Sequence, residues 1–204
     1  MRVCQSVKCE KFPCPDVRHD CHLVPSVDVQ PETVRLIMLS EAVPENPGDY
    51  YYASGNPLFA QTTVQAFNDA GVAVSSVKDL LRRGVYFTTA VKCAKTGYGI
   101  QAGTIRQCSF LLEKELSLFR NAKVLMLMGD VAIKALNYVA ERALGHRVIP
   151  AGSTYKIRGG TYLFSDMRVF PSYLQAGPSF FIEKSKRRMI AEDIAAAVAL
   201  QQRA

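Results

Sequence analysis

The 204-residue sequence has no apolar stretch near the roughly 20 residues needed to cross a bilayer, and its longest apolar run, VLMLMG, is typical of a strand. Its beginning, MRVCQSVKCEKFPCPDV, lacks the apolar segment of about 7 to 15 residues found in secretory signal peptides, because charges and prolines interrupt it. We therefore expect a cytoplasmic protein that does not enter a membrane.

Two phosphate-binding motifs are also missing: neither G-x-G-x-x-G nor G-x-x-x-x-G-K-[ST] occurs in the chain. Their absence argues against a generic nucleotide-binding α/β protein with a structural zinc. The sequence has no internal repeat and no low-complexity segment either, which argues against a repeat array or a disordered chain.

The composition favours one well-packed domain over residues 1–204, since 49% of the residues are hydrophobic. Lys and Arg number 25 against 18 Asp and Glu, which gives a formal net charge of +7. An excess of positive charge suits an anionic partner, and nucleic acid fits it best.

Apolar runs alternate with helical periodicity along most of the chain. Strands are predicted in VRLIMLSE (34–41), GVYFTTAVKC (84–93) and AKVLMLMGD (122–130), with short strand-like pieces in 153–174. Helices are predicted in 57–72, 104–120, 131–145 and 183–204. The alternation predicts an α/β fold: a three-layer α/β/α sandwich around a central, mostly parallel sheet, preceded by an irregular Cys-rich arm, residues 1–31.

Ligands of such sheets bind outside the carboxyl ends of the strands, here the loops after Leu39, Val91, Met128 and Val169. Glu41 lies at the first of these ends, where it is either a general base or an ordinary strand-end acid. Three consecutive tyrosines, 50–52, follow in a long loop; they either stack on a flat ligand or pack half-buried against the protein.

Six cysteines in a chain expected to be cytoplasmic are unlikely to form a disulfide framework. Cys9 and Cys14 in the arm, with Cys93 and Cys108 flanking the second loop, give the four thiolates of a [4Fe-4S] cluster or a tetrahedral zinc site. The alternative is that the cysteines are free structural thiols. Cys4 and Cys21 are also available as ligands, and His19 and His22 are weaker candidates.

Four segments, LSEAVPENPGDYYYASG, YFTTAVKC…QC, VLMLMGDVAIKAL and VFPSYLQAGPSFFIEKSKRRMIAEDI, resemble in order the motifs of the uracil-DNA glycosylase superfamily, most closely its iron-sulfur (family 4) branch. The resemblance implies a four-stranded central sheet, a monomer and a [4Fe-4S] cluster that joins the arm to the second strand and following helix. It also implies that Lys92, Lys95 and Arg106, near the cluster, influence docking to DNA.

The resemblance assigns Glu41 as the catalytic acid residue and Tyr51 or Tyr52 as the ring that stacks on the base. It places Ser40, Ala42, Thr89 and Phe170 in the base pocket. Thr89 stands where the branch has an Asn that bonds the uracil edge, and Phe170 where it has a His that stabilises the departing base. A hydroxyl cannot make the two contacts of an amide, so selectivity for uracil is open.

The same resemblance implies contacts with damaged or single-stranded DNA. Leu174 or Gln175 would wedge into the base stack, and Ser172 and Ser179 would bind phosphate. Further charge near the DNA would come from the start of the last helix, whose basic run is otherwise a solvated face: Lys184, Lys186, Arg187 and Arg188.

The predicted function is that of a DNA glycosylase, which flips a deaminated base such as uracil out of DNA and hydrolyses its N-glycosidic bond to begin base excision repair. Two alternatives remain open at this point. One is a glycosylase for another base, and the other is a non-catalytic [4Fe-4S] DNA-binding protein of the same fold.

Overall fold

The computed structural model of the protein describes residues 1–97 and 99–203. Within them six strands form one sheet: β1 (Val17–Arg18), β2 (Leu36–Val43), β3 (Val85–Lys95), β4 (Val124–Met128), β5 (Tyr162–Phe164) and β6 (Met167–Ser172). The helices are α1 (Val3–Ser6), α2 (Leu58–Asp69), α3 (Val77–Arg82), α4 (Ala102–Leu116), α5 (Asp130–Leu144), α6 (Thr154–Ile157), α7 (Ser179–Ile182) and α8 (Lys184–Gln201). Nowhere in this part of the chain is a helix both long and apolar enough to span a membrane.

The strand order is β1-β3-β2-β4-β6-β5. The four middle strands are parallel, and β1 and β5 pair antiparallel with β3 and β6 at the two edges. The predicted α/β fold with a four-stranded parallel sheet is thus confirmed, with two short antiparallel edge strands added to it. The chain passes from β2 to β3 on one side and then to β4 on the other, so the direction of winding reverses beside β2.

Side chains that alternate along the central strands build a hydrophobic core on each face of the sheet. Ile37 and Leu39 of β2 belong to one core, and Leu36 and Met38 belong to the other. The first core is closed by α4, α5 and the N-terminal arm, and the second by α2, α3 and α8. Strands buried on both faces explain why their sequences are continuously apolar.

The N-terminal arm docks on the outer edge of β3. Val17 pairs with Lys95, and the amide of Leu23 donates to the carbonyl of Lys92 over 2.7 Å. The Asp16 carboxylate accepts the backbone N–H of Gln101 over 2.6 Å and a hydrogen bond from the Thr104 hydroxyl. Asp16 therefore ties the arm to the N-terminus of α4 by polar contacts.

A buried ion pair joins β3 to α4. The Lys92 ammonium donates to the Glu115 carboxylate, to Thr88 Oγ1 over 2.8 Å and to the Thr89 carbonyl over 2.6 Å. Tyr86 Oη donates to the other Glu115 oxygen over 2.7 Å. Because Lys92 is fully buried, the expectation that it influences docking to DNA is wrong.

Candidate functional site

A cavity of about 570 Å³ opens at the carboxyl edge of the parallel sheet. Its wall combines residues from the ends of β2 and β3, the start of α5 and the segment after β6. Those used below are Glu41, Ala42, Glu45, Lys95, Val131, Leu174, Ala176, Gly177, Pro178 and Ser179. The predicted loops after Leu39, Val91, Met128 and Val169 therefore do meet at one site, as the topology requires.

Glu41 lies at the end of β2 and lines this cavity. Its carboxylate is positioned by the segment that follows the neighbouring strand, β4. Its Oε1 accepts the backbone N–H of Val131, in the first turn of α5, over 3.2 Å. Gly129 leaves the room for it: a Cβ at this position would lie 2.5 Å from Glu41 Oε1. The positive φ of Gly129, 102°, also suits glycine. The backbone N–H of Val131 thus holds the Glu41 carboxylate at the N-terminus of α5.

Of the three tyrosines, Tyr50 and Tyr51 are buried and Tyr52 is half-buried. Tyr51 is 2% exposed, its ring stacks on Phe87, and its hydroxyl donates to Ser40 Oγ over 2.9 Å. Tyr52 Oη accepts the backbone N–H of Phe87 over 2.9 Å. Burial raises the pKa of Tyr51 and of Tyr52 well above that of free tyrosine. Tyr51 and Tyr52 also line a cavity of about 640 Å³ beside α2, so the stacking of one of them on a base stays a prediction.

Two further residues predicted for the base pocket, Thr89 and Phe170, are absent from the part of the cavity wall that the structure describes. Thr89 is fully buried, and its hydroxyl has no hydrogen-bond partner among the described residues. The Phe170 ring packs under the guanidinium of Arg168, 4.7 Å from the ring centroid. Ser40 is also buried, whereas Ala42 lines the cavity.

Several residues predicted to contact DNA have internal partners instead. Ser172 is buried and donates to Asp193 Oδ2 over 2.6 Å. Gln175 is buried and donates to Tyr51 Oη over 3.2 Å. Arg187 pairs with Asp69. Ser172 and Gln175 are corrected to structural residues, because their polar groups are bound inside the fold. Arg187 is only part-buried in its ion pair, so its contact with DNA stays a prediction.

The other predicted DNA contacts are accessible. Leu174 and Ser179 line the cavity, and Lys184 and Arg188 are exposed at the start of α8. Lys186 is half-buried and pairs with Glu183. Contact of these residues with DNA stays a prediction.

The four cysteines chosen from the sequence come together between the arm, β3 and α4. Burial, with the thiols of Cys108, Cys9 and Cys14 next in order, raises the pKa of Cys93 to about 12. Burial also raises the pKa of Cys108 and of Cys14. Thiols that raise one another's pKa are close neighbours, and they become thiolates readily only when a cation joins them.

A second cavity, of about 300 Å³, is lined by Cys9, Cys14 and Cys108. In residues 1–97 and 99–203 no three Cys, His, Asp or Glu side chains are already arranged to hold a metal ion. The donor set nevertheless fits a thiolate-bound group, since Cys9, Cys14 and Cys108 border one space and the pKa of Cys93 responds to all three of them and to Cys21. Cys21 instead donates to the Glu45 carbonyl over 3.8 Å, and His19 Nε2 lies 2.8 Å from the Cys14 carbonyl.

Sequence reasoning missed two contributors to the cavity. Gly129 carries a signal in hindsight, because a glycine between a buried strand and a helix marks a tight turn. From the sequence, Lys95 was expected only to influence the docking of DNA near the cysteines, yet it lines the cavity that contains Glu41. Its position places a cation and a carboxylate in one cavity.

A carboxylate and an ammonium group at the carboxyl edge of a parallel sheet, inside one cavity, define a ligand-binding or catalytic α/β protein. The profile of the family described as "Uracil DNA glycosylase superfamily" matches residues 28–193, so the chain belongs to this superfamily. It is accordingly a DNA glycosylase-like protein, and the predicted superfamily is confirmed.

One curated relative is the type-5 uracil-DNA glycosylase of Thermus thermophilus, which is 32% identical to this chain over 101 residues. The match covers 48% of this chain and 45% of the relative, so it spans about half the length of each. The likeness to the family 4 branch continues to rest on the motifs quoted above.

Proposed function

We propose that this protein is a DNA glycosylase that removes a deaminated base, such as uracil, from DNA and so begins base excision repair. The observation that carries the proposal is the carboxylate of Glu41, fixed at the carboxyl edge of the sheet in a cavity of about 570 Å³. Membership of the superfamily, the similarity to the type-5 uracil-DNA glycosylase and the net charge of +7 support it.

The base must leave the duplex before its glycosidic bond can be reached, at a cost of a few kcal/mol. The cavity accommodates a flipped base with its sugar beside Glu41. Backbone groups of the segment after β2 and the side chain of Leu174 border this space. Thr89 and Phe170 lie outside the described wall of the cavity. This chain therefore recognises the base with other groups than the branch it resembles does, and a base other than uracil is also a candidate substrate.

Hydrolysis needs a group that supports attack by water. In the proposed step the water oxygen bonds to the sugar C1′ as the C1′–N bond breaks, and the bonding electrons leave with the base. Glu41 stabilises the cationic sugar and accepts a proton from the water, a role that suits a carboxylate positioned by a backbone N–H. Lys95 faces the negative charge that develops on the departing base, which compensates for the missing His at position 170.

We also propose that Cys9, Cys14, Cys93 and Cys108 hold a [4Fe-4S] cluster, with zinc as the alternative. Bound there, such a group would crosslink the arm to β3 and α4. It would act on structure, since the cysteine cavity and the cavity of Glu41 have separate described walls. Absorbance near 400 nm, with iron and sulfide analysis of anaerobically purified protein, distinguishes the two groups.

The test of catalysis is base release from single-stranded and duplex oligonucleotides that carry uracil, hypoxanthine, xanthine or a thymine mismatch. We expect one base to be released, and Glu41→Gln to lower the rate by roughly 10² to 10⁴-fold with DNA binding retained. Glu45→Gln is the matched control, because Glu45 lines the same cavity at the exposed end of the loop. Equal rates for Glu41→Gln and wild type would remove Glu41 from the mechanism.

The same assay with Lys95→Met tests whether Lys95 stabilises the departing base. We expect a loss of roughly 10² to 10³-fold on uracil and a smaller loss on 5-fluorouracil, which departs more readily as an anion. An equal loss on both bases would assign Lys95 to binding alone.

The non-catalytic DNA-binding protein remains the second candidate, and the burial of Thr89 and Tyr51 favours it because base-contacting side chains are then fewer. Binding to every oligonucleotide in the panel without release of any base would select this candidate.

A further inference from the structure

A buried polar network joins the end of the last central strand to the closing helix. Ser172, the last residue of β6, donates its hydroxyl hydrogen to Asp193 Oδ2 of α8 over 2.6 Å. The guanidinium of Arg158 donates to the same oxygen over 3.2 Å and to Asp193 Oδ1 over 2.8 Å. Ser172 is fully buried, and Asp193 is only 7% exposed. The three side chains therefore bind one another away from water.

This network contributes little to stability for the charge that it buries. Burial raises the pKa of Asp193 above its ordinary value, and the hydrogen bonds from Ser172 and Arg158 oppose that rise without cancelling it. A buried ion pair whose desolvation is not fully offset is a weak source of folding free energy. The network fixes the relative position of two elements more than it stabilises the fold.

The helix side of the network is held by Arg158, which directly follows α6. Besides Asp193, its guanidinium donates to the Met189 carbonyl over 2.9 Å and to the Glu192 carboxylate over 3.0 Å. A planar guanidinium with five N–H groups can make these contacts at once, whereas a lysine ammonium cannot. Arg158 therefore fixes the part of α8 that presents Asp193 to the strand.

The strand side of the network leads to Glu41. The carbonyl of Ser172 accepts the backbone N–H of Gly129 over 3.0 Å. Gly129 is the residue whose missing Cβ leaves room for the Glu41 carboxylate. Two residues later, the N–H of Val131 donates to Glu41 Oε1 over 3.2 Å. Ser172 thus binds Asp193 with its hydroxyl and the turn beside Glu41 with its carbonyl.

We propose that Ser172, Asp193 and Arg158 are positioning residues for the Glu41 carboxylate. They fix the end of β6, and the Ser172 carbonyl transmits this position through the turn at Gly129. None of the three side chains belongs to the described part of the cavity wall, so they act through the backbone. The inference rests on the proposed function, since it needs Glu41 to act. A misplacement of about 1 Å can lower a rate by roughly 10²-fold even when its cause lies far from the chemistry.

The first test measures base release by Ser172→Ala and Asp193→Asn below their unfolding midpoints. We expect kcat to fall roughly 10- to 100-fold with KM within about twofold of wild type, because the base still binds and only the acting carboxylate is displaced. Ser172→Thr, which keeps the hydroxyl, should recover most of the loss. Arg158→Lys is a milder variant, expected to lower kcat by roughly 3- to 10-fold.

Ser109→Ala is the matched control. Ser109 is also a fully buried serine that binds an arginine, with Arg142 Nη1 donating to its Oγ over 2.8 Å, but it lies on α4. We expect this variant to lose stability and to keep the kcat of wild type. An unchanged kcat in Ser172→Ala, or an equal loss in Ser109→Ala, would overturn the proposal.

Combination with Glu41→Gln separates positioning from a general structural effect. If Ser172 acts through Glu41, the variant Ser172→Ala/Glu41→Gln should be no slower than Glu41→Gln alone, because residues that act as a unit are not additive. Losses that multiply would mean that Ser172 does not act through this carboxylate.

Amide hydrogen exchange tests the network even if wild type releases no base, an outcome that would contradict the proposed function alone. We expect the amides of Gly129 and Val131 to exchange roughly 10-fold faster in Ser172→Ala and Asp193→Asn than in wild type, with the amides of α4 unchanged. Unchanged exchange at Gly129 and Val131 would show that the network does not hold this turn, whatever the activity.

Discussion

At position 129 a side chain would collide with the carboxylate that the proposed chemistry needs. A Cβ there meets Glu41 Oε1 at 2.5 Å and the Glu41 Cγ at 2.8 Å, and the φ of 102° is strained for any residue with a Cβ. Gly129, which has no side chain, thus allows Glu41 to take the position that the proposed chemistry needs.

Gly129→Ala should therefore lower base release roughly 100-fold and destabilise the fold by about 1 to 3 kcal/mol. Gly145→Ala is the control: Gly145 also has a positive φ, at the other end of α5, but a Cβ there meets nothing within 4 Å. We expect it to cost stability alone. Similar activity of the two variants, measured with DNA binding and thermal unfolding, would mean that Glu41 does not need this space.

At the scale of elements, one carboxylate of the arm, that of Asp16, bonds to the N-terminus of α4. Although burial opposes it, the hydrogen bonds from Gln101 and Thr104 lower the pKa of Asp16 below its ordinary value of 3.8. A carboxyl group with a lowered pKa in the folded state stabilises that state above its ordinary pKa. The contribution is lost as the pH falls through the pKa of the folded protein.

Asp16→Asn should reduce the free energy of unfolding by about 1 kcal/mol at pH 6, and the difference from wild type should close as the pH falls below about 3.8. Asp28→Asn serves for comparison, because Asp28 is an exposed arm residue that pairs only with Arg2 in the described structure. Denaturation at a series of pH values measures both. A difference that stays constant down to pH 2 would contradict the role of the ionised carboxylate.

The strands also show which secondary-structure elements local sequence patterns can predict. β2, β3 and β4 were predictable because burial on both faces makes them continuously apolar. The two residues of β1 were not, since their partner β3 lies far away in sequence, whereas β5 falls within the strand-like pieces predicted in 153–174 and pairs with the adjacent β6. Short strands like these take their structure from the edge that they join.

For the whole molecule, the ion pair of Lys92 and Glu115 is the one charge pair in the described chain with both side chains fully buried. Removal of one member leaves the other charge in the core without compensation. Lys92→Ala should lower the free energy of unfolding by about 3 to 5 kcal/mol. Lys92→Met with Glu115→Gln should recover much of it, because Gln can still accept the hydrogen bond of Tyr86.

Lys134→Ala provides the surface comparison, since Lys134 pairs with Asp130 on the exposed face of α5 and should contribute less than about 1 kcal/mol. Chemical denaturation of the four proteins gives the values. Equal effects of Lys92→Ala and Lys134→Ala would contradict the importance of burial.

The superfamily and the sheet edge that forms the cavity were predictable, whereas the exposure of single residues was not. Tyr51 and Gln175 are 124 positions apart, and their hydrogen bond decides that both lie inside. Phe181 and Ile182 of α7 face solvent, whereas the adjacent Phe180 is buried. Exposure of this kind follows from packing between distant segments, which local periodicity does not encode.

The contacts between Asp16 and α4 span 85 and 88 residues of chain. During synthesis at about 5 to 20 residues per second, the arm waits roughly 4 to 18 s for the segment that it will bind. Four of the six cysteines spend that interval on an unpaired stretch. The order of translation thus leaves these thiols open to delivery of iron and sulfide, or to oxidation, before the partners of the arm exist.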